Sequence, residues 1–144
     1  MSNWIYKEEI NPEKYYGFVY KIINLETSKY YIGKKAFFHN KKKKLTKKEI
    51  AEQVGRGRKA VTKVEQINSG WEDYWGSSKE LLKDVKELGK DKFRRIILKL
   101  VYTKKQLTFY EAKQQIEDNV LFMDSYNDNI LGKFFRKDFE EPKN

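Results

Sequence analysis

Residues 17–35 limit what this chain can fold into more than any other stretch. In Gly17-Phe18-Val19-Tyr20-Lys21-Ile22-Ile23-Asn24 bulky and β-branched side chains alternate, which is the pattern of a strand. Asn24 to Ser28 is a short polar turn, and Lys29-Tyr30-Tyr31-Ile32 is the returning strand, with Gly33 as a turn or close-approach point at its exit. The two runs form a hairpin that puts Tyr20 and Tyr31 near the same end of one sheet. The parity of the pairing decides whether the two phenols share a face, and the sequence is compatible with either parity.

Charge then narrows the partner. The 144 residues carry 31 Lys and Arg against 21 Asp and Glu, a net charge of +10, so a polyanion is expected, nucleic acid before an anionic membrane surface. Aromatic residues make up 15%, which suits base stacking as well as packing. The plainer alternative is a set of solvated lysines with no partner. The absence of cysteine excludes disulfides and Cys-based zinc sites. With no apolar signal core and no stretch near the length of a membrane span, the expectation is a soluble, cytoplasmic protein with no membrane partner.

The rest of the chain supplies the layers around the hairpin. Residues 1–15 are an ordered arm in which Trp4, Ile5 and Ile10 can pack, while Pro12 interrupts any long helix. Residues 34–70 are a basic insertion. In it Lys41, Lys42, Lys43 and Lys44 form a run that is either a solvated loop or a set of phosphate contacts. Thr46-Lys47-Lys48-Glu49 has the capping-box pattern and predicts a short helix over 47–53, broken by Gly55 and Gly57. Arg56, Arg58 and Lys59 then crowd into a flexible basic segment.

Beyond an aromatic cluster at Trp71, Tyr74 and Trp75, Ser78 caps a helix predicted over 79–88, with Leu81, Leu82, Val85 and Leu88 on one face and Gly89 as its stop. Phe93 to Tyr102 is a third strand whose continuous apolar centre places it inside the sheet beside the hairpin. Thr103-Lys104-Lys105-Gln106 opens a helix predicted over 104–123. Phe109, Ala112, Ile116, Val120 and Met123 form its main apolar stripe. Leu107, Tyr110 and Leu121 form a second, with a semi-buried Glu111 at its margin. A turn-rich loop at 125–134 precedes a charged tail, 134–144, expected to fray from Arg136 onward. With no repeat and no separating linker, residues 1–144 are expected to make a single α+β domain: a small three-stranded antiparallel sheet flanked by helices.

A nucleic-acid partner invites one chemistry. Phosphodiester hydrolysis needs a deprotonated water, a cation on the scissile phosphate and stabilisation of the leaving oxygen, the last commonly from a divalent ion on a carboxylate. A tyrosine can move the proton only if nearby positive charge lowers its pKa. His39 is the one histidine, and after a Phe-Phe pair it is more plausibly incidental than a base.

These elements resemble the GIY-YIG nuclease family. Tyr31-Ile32-Gly33 matches the second signature, and Phe18-Val19-Tyr20 stands in the place of the first, with Phe18 where the family usually has Gly. The tyrosine spacing, Lys21-Ile22 and Asn24 after the first motif, and the order of strands and helices also fit. Trp71, Tyr74 and Gly76-Ser77-Ser78 are similar to a stretch of a phage-type, homing-endonuclease-like branch, in which Tyr74 is structural. The resemblance spans residues 16–132. It implies a DNA endonuclease using Mg²⁺ or Mn²⁺, with Tyr20 as general base, Tyr31 as its orienting partner and Glu111 as the protein ligand of the ion. Asn129, or else Asn127, takes the place of the family's late supporting asparagine. The family's arginine is missing from its usual interval after the second motif, so the phosphate contact falls to Arg58, then Arg56, then Lys35. Lys34, Lys41 to Lys44 and Lys59 are expected to touch DNA more broadly. A catalytically silent DNA-binding module on the same fold is the alternative, and a basic structural or inhibitory protein acting on a host factor is a further one. The chain is expected to be a monomer or weak homodimer, in the host cytoplasm if phage-encoded.

Overall fold

The computed structural model describes residues 3–55 and 57–142, so Arg56 lies outside the described residues. The chain divides into two compact units, Phe38–Ser69 and the remainder. The expected basic insertion thus becomes a unit of its own.

In the larger unit, β2 (Gly17–Asn24) is flanked by β3 (Tyr30–Ala36) and β6 (Phe93–Val101), antiparallel to both. β1 (Trp4–Ile5) adds a fourth strand parallel to β6, giving the order β1-β6-β2-β3. The sheet is therefore four-stranded and mixed rather than three-stranded and antiparallel. The reason lies in Trp4. Its indole N–H donates to the Trp71 carbonyl at 2.8 Å, and its ring meets Phe18 and Tyr20 edge-on at 5.0 and 5.2 Å. Anchoring that large ring in the core draws the arm alongside Arg95 and Ile96.

The register settles the parity of the phenols. Tyr20 lies opposite Gly33 and Ile22 opposite Tyr31, so Phe18, Tyr20 and Tyr31 share one face. That face is aromatic: Trp4, Phe18, Tyr20, Phe37 and Trp71 are all buried, and Leu81 and Val85 of α2 (Lys79–Leu88) are buried with them. The Leu81 side chain, the Tyr31 ring and the Tyr20 hydroxyl converge on Gly76. The opposite face is aliphatic, with Val19, Ile32 and Val101 packed in one cluster with Leu107, Ala112, Val120, Leu121 and Ile130.

α3 (Lys104–Glu117) starts where its Thr103 cap requires, the Gln106 N–H donating to the threonine hydroxyl. It ends six residues before the expected stop at Met123, capped by Asp118 ahead of Asn119 in the left-handed region. Its rotation also differs from expectation. Leu107, Ala112 and Gln115 face inward, whereas Phe109 and Ile116 of the stripe expected to pack are 60% and 61% exposed. The polar Gln115 turns inward because its amide donates to the Ile32 carbonyl. The tail departs from expectation as well. β7 (Asn129–Ile130) and β8 (Phe134–Phe135) form a small hairpin, and the Arg136 guanidinium is fastened to the carbonyls of Val120, Leu121, Met123, Ser125 and Asn127. Among the described residues no helix is long and apolar enough to cross a membrane.

In the smaller unit the lysine run is a strand, not a loop. β4 (Phe38–Lys44) pairs antiparallel with β5 (Thr62–Asn68) over seven residues. Opposite charge supports the pairing where Lys43 reaches Glu65 at 2.9 Å, and Lys63 ties β5 to α1 (Lys47–Ala51) through Glu49 at 2.7 Å. Both halves of the predicted capping box at Thr46 and Glu49 form, and the hydrogen bonds that the Glu49 carboxylate accepts from Lys63 and from the Thr46 backbone N–H hold its pKa down at about 2.

Phe18, fully buried among Trp4, Phe37 and Trp71, is the centre of the aromatic face. Phe18→Ala should lower unfolding free energy by about 3–5 kcal/mol in urea titrations, because that rigid cluster cannot close over the cavity.

Candidate active site

The site grows from the free edge of β3. Beyond that edge the segment Ser125–Asn127 runs alongside, with a parallel bridge between Tyr30 and Ser125 and a 2.7 Å bond from the Tyr126 N–H to the Tyr30 carbonyl. Asn127 continues the ladder with its side chain. Its Oδ1 accepts from the Ile32 N–H at 3.0 Å and its Nδ2 donates to the Ile32 carbonyl at 2.8 Å, where Gln115 Nε2 adds a second bond at 3.0 Å. The Tyr126 hydroxyl donates to Asp84 and accepts from the buried Asn24 amide, which fixes the segment to α2 and β2. Arg136 holds it from outside. Ile32 is thereby fixed, and Tyr31 and Gly33 with it.

Next to this edge is a cleft of about 510 Å³ lined by Tyr31, Lys34, Ser77, Glu111, Asn127 and Asp128, among others. The Tyr31 hydroxyl is hydrogen-bonded to Ser77 Oγ at 3.0 Å. Lys34 donates to Thr108 Oγ1 at 3.3 Å. The Glu111 carboxylate makes no hydrogen bond or ion pair among the described residues. Burial pushes its pKa up, and the nearby Lys34 charge offsets only part of that. A carboxylate that is desolvated and unpartnered, in a polar cleft, is suited to receiving a cation. Among the described residues no group of three His, Cys, Asp or Glu could hold a metal, so an ion here would complete its shell with water and substrate oxygens.

The sequence-assigned residues divide around this cleft. Tyr20 is not in its lining; it is only 1% exposed, behind Tyr31, with ring centroids 6.1 Å apart. Burial pushes the Tyr20 phenol well above its ordinary pKa, reinforced by Tyr31, Tyr74 and Glu111, so without a bound cation it is a neutral phenol at neutral pH. Tyr31 is raised by burial too, but the Ser77 hydrogen bond pulls it back. Gly33 has to be glycine, because a Cβ there would overlap the Tyr20 hydroxyl and crowd the Tyr31 ring. Lys34 and Lys35 point to opposite sides of β3. Lys34 faces the cleft, while the Lys35 ammonium stands 4.2 Å over the Tyr74 ring, its pKa lowered by burial.

Arg58 is an exposed residue of the smaller unit, as are Lys41 to Lys44, Lys59 and His39. Among the described residues Lys34 is the one cation lining the cleft. Both asparagines line the cleft: Asn127 carries the clamp, and Asn129 accepts from the Gly132 N–H and closes a turn. Sequence reasoning missed Gln115, Ser77, Asp128 and Arg136. Two of them had a signal: Ser77 lies in the Gly76-Ser77-Ser78 stretch that carries part of the resemblance, and Gln115 lies four residues after Glu111 and therefore on the same side of α3.

Two phenols on adjacent strands, a glycine that lets them meet and one unpartnered carboxylate on the helix after the third strand define a nuclease domain of the GIY-YIG type. The chain belongs to that family: residues 4–135 match the model described as putative endonuclease segE, GIY-YIG domain. No curated protein and no solved structure matches the chain. The membership supports an endonuclease with DNA as its substrate.

Asn127→Ala leaves the buried Ile32 N–H unpaired and should cost about 1–3 kcal/mol in urea unfolding, whereas Asn129→Ala should cost under about 1 kcal/mol.

Proposed function

We propose that this chain is a divalent-metal-dependent DNA endonuclease that hydrolyses phosphodiester bonds in the Tyr31–Glu111 cleft. The observation that carries the reading is Glu111, a desolvated carboxylate with no partner among the described residues, lining the same polar cleft as a hydrogen-bonded phenol and a lysine. Glu111 would hold Mg²⁺ or Mn²⁺, and Asp128 is another carboxylate in the lining. When bound, the ion would polarise the scissile phosphate and stabilise the leaving oxygen.

The chain's own groups supply the rest. Lys34 contacts the phosphate as a point charge in place of the family's arginine. The Tyr31 hydroxyl, oriented by Ser77, positions the attacking water and takes part in moving its proton. Tyr20 stands behind it as the partner that fixes the Tyr31 ring. This exchanges the roles expected from the resemblance, because Tyr31 and not Tyr20 lines the cleft. A silent DNA-binding module is the second reading, favoured by Phe18 standing where the first signature usually has Gly and by the lack of an arginine in the family's usual interval after the second motif.

Nicking of supercoiled plasmid tests the two. Wild-type protein should cut in Mg²⁺ or Mn²⁺ and not in EDTA, and Glu111→Ala and Tyr31→Phe should each reduce the rate by about 100-fold or more. Binding without cutting under every metal would favour the silent module.

Burial also gives Glu111 a pH signature. Its folded-state pKa is raised, so the folded protein holds the proton more tightly than the unfolded chain. The resulting stabilisation is present below the ordinary carboxylate pKa and is lost as pH rises through the folded value. In EDTA, Glu111→Gln should therefore melt higher than wild type at about pH 7 and no higher at about pH 4, as read by thermal unfolding. Adding Mn²⁺ should raise the wild-type melting temperature and leave that of the variant unmoved.

A further inference from the structure

The positive charge of this chain is concentrated in one place. Residues 38–69 carry ten Lys and Arg against three Glu, a net +7 of the chain's +10. They fold as a compact unit built on the β4–β5 ribbon.

The ribbon has two unlike faces. On one, Lys43 and Lys63 are ion-paired to Glu65 and Glu49, and Lys63, Glu65 and Ile67 are half-buried. On the other, opposed pairs place Lys44 by Thr62, Lys42 by Val64 and Asn40 by Gln66, all six exposed. No acidic residue lies on this second face between Asn40 and Lys44 or between Thr62 and Gln66. The side chains of Asn40, Gln66, Lys42 and Lys44 make no hydrogen bond or ion pair among the described residues. Exposed Val64 sits between the amide pair and the Lys44–Thr62 pair.

A surface with unpaired cations, two opposed carboxamides and one small apolar side chain suits a groove whose walls are phosphates and whose floor presents paired donors and acceptors. The DNA major groove, about 12 Å wide, admits a two-stranded ribbon. Alternate residues on one face of a strand are spaced about 7 Å apart, which is close to two base-pair steps. Asn and Gln are the side chains that bond adenine bidentately through N6 and N7, and a small apolar group meets the thymine methyl.

We infer that the open face of the β4–β5 ribbon is a sequence-reading surface that enters the major groove of duplex DNA, with Asn40 and Gln66 bonding adenine edges and Lys42 and Lys44 the flanking phosphates. This rests on DNA being the substrate, and it goes beyond hydrolysis by assigning recognition to a separate part of the chain.

The test uses binding alone, in EDTA, with the full chain. Duplexes selected from a randomised library should yield an adenine-containing consensus. Asn40→Ala/Gln66→Ala should lose discrimination for that consensus by about 5- to 150-fold while keeping the slope of affinity against salt, because no charge is removed. Lys42→Gln/Lys44→Gln should weaken all duplexes alike and reduce that slope by about two. Replacing the consensus adenines by 7-deazaadenine removes a major-groove acceptor from the DNA side. It should weaken wild-type binding and have no further effect on the Asn40/Gln66 variant, which keeps the test decisive even if the variant folds poorly. No consensus, a consensus without adenine, indifference to 7-deazaadenine, or tighter binding to RNA or anionic vesicles than to duplex DNA would each overturn the inference. A chain that selects the consensus but never cuts would defeat the hydrolytic reading and leave this one standing.

Discussion

The larger unit depends on how the outer edge of its sheet is closed. A terminal strand has backbone groups with nowhere to bond, and here those of Ile32 are met by a side chain acting as a strand: the Asn127 carboxamide accepts from the N–H and donates to the carbonyl of the same residue, and Gln115 shares the carbonyl. This protects the edge and fixes β3 at the residue between Tyr31 and Gly33. A free edge could slide or twist, and the phenol would move with it. The same bonds bring the start of the Asn127 loop and the last turn of α3 to one point, which is why Glu111, one turn before Gln115, arrives beside Tyr31.

The two faces of the sheet do different work. The aromatic face buries Trp4, Phe18, Phe37 and Trp71 around Tyr20 and gives that hydroxyl a dry setting. Rings are stiff and leave little slack, so the geometry there has few alternatives. The aliphatic face joins α3 to the sheet through Leu107 and Ala112 and keeps the carboxylate helix close. Arg95 shows how tightly the first face is packed, since its guanidinium lies between Trp4 and Trp75 at 4.5 and 4.3 Å and bonds the Tyr74 carbonyl.

Much of this was legible in the sequence where the cause is local. The hairpin, the Ser78 and Thr103 caps and the third strand follow from alternation and capping, and α2 spans the residues its apolar spacing indicates. What was not legible depends on distant partners. A two-residue strand such as β1 has no pattern of its own and exists because Trp4 is held by Trp71. The lysine run shows no alternation, and its pairing with β5, with Glu65 across the ribbon ion-paired to Lys43, makes it a strand. The rotation of α3 was misjudged because hydrophobicity favoured the Phe109 stripe, while the hydrogen bond of Gln115 to Ile32 decided which side turned inward. Asn127 and Asn129 both look like turn formers in the sequence, and the bonds of Asn127 to Ile32 become visible only with the strand edge in view, while Asn129 lines the cleft beside it.

Arg136 adds a temporal dimension to the clamp. Its guanidinium gathers carbonyls from residues 120 to 127, the segment that closes the sheet edge and carries the asparagine. A chain leaving the ribosome exposes the hairpin early, with its β3 edge uncovered, and that edge stays uncovered until residues 125–136 have been made. The cleft therefore forms only after residues 125–136 have joined the hairpin. A chain truncated before Arg136 would retain the phenols without the frame that orients them.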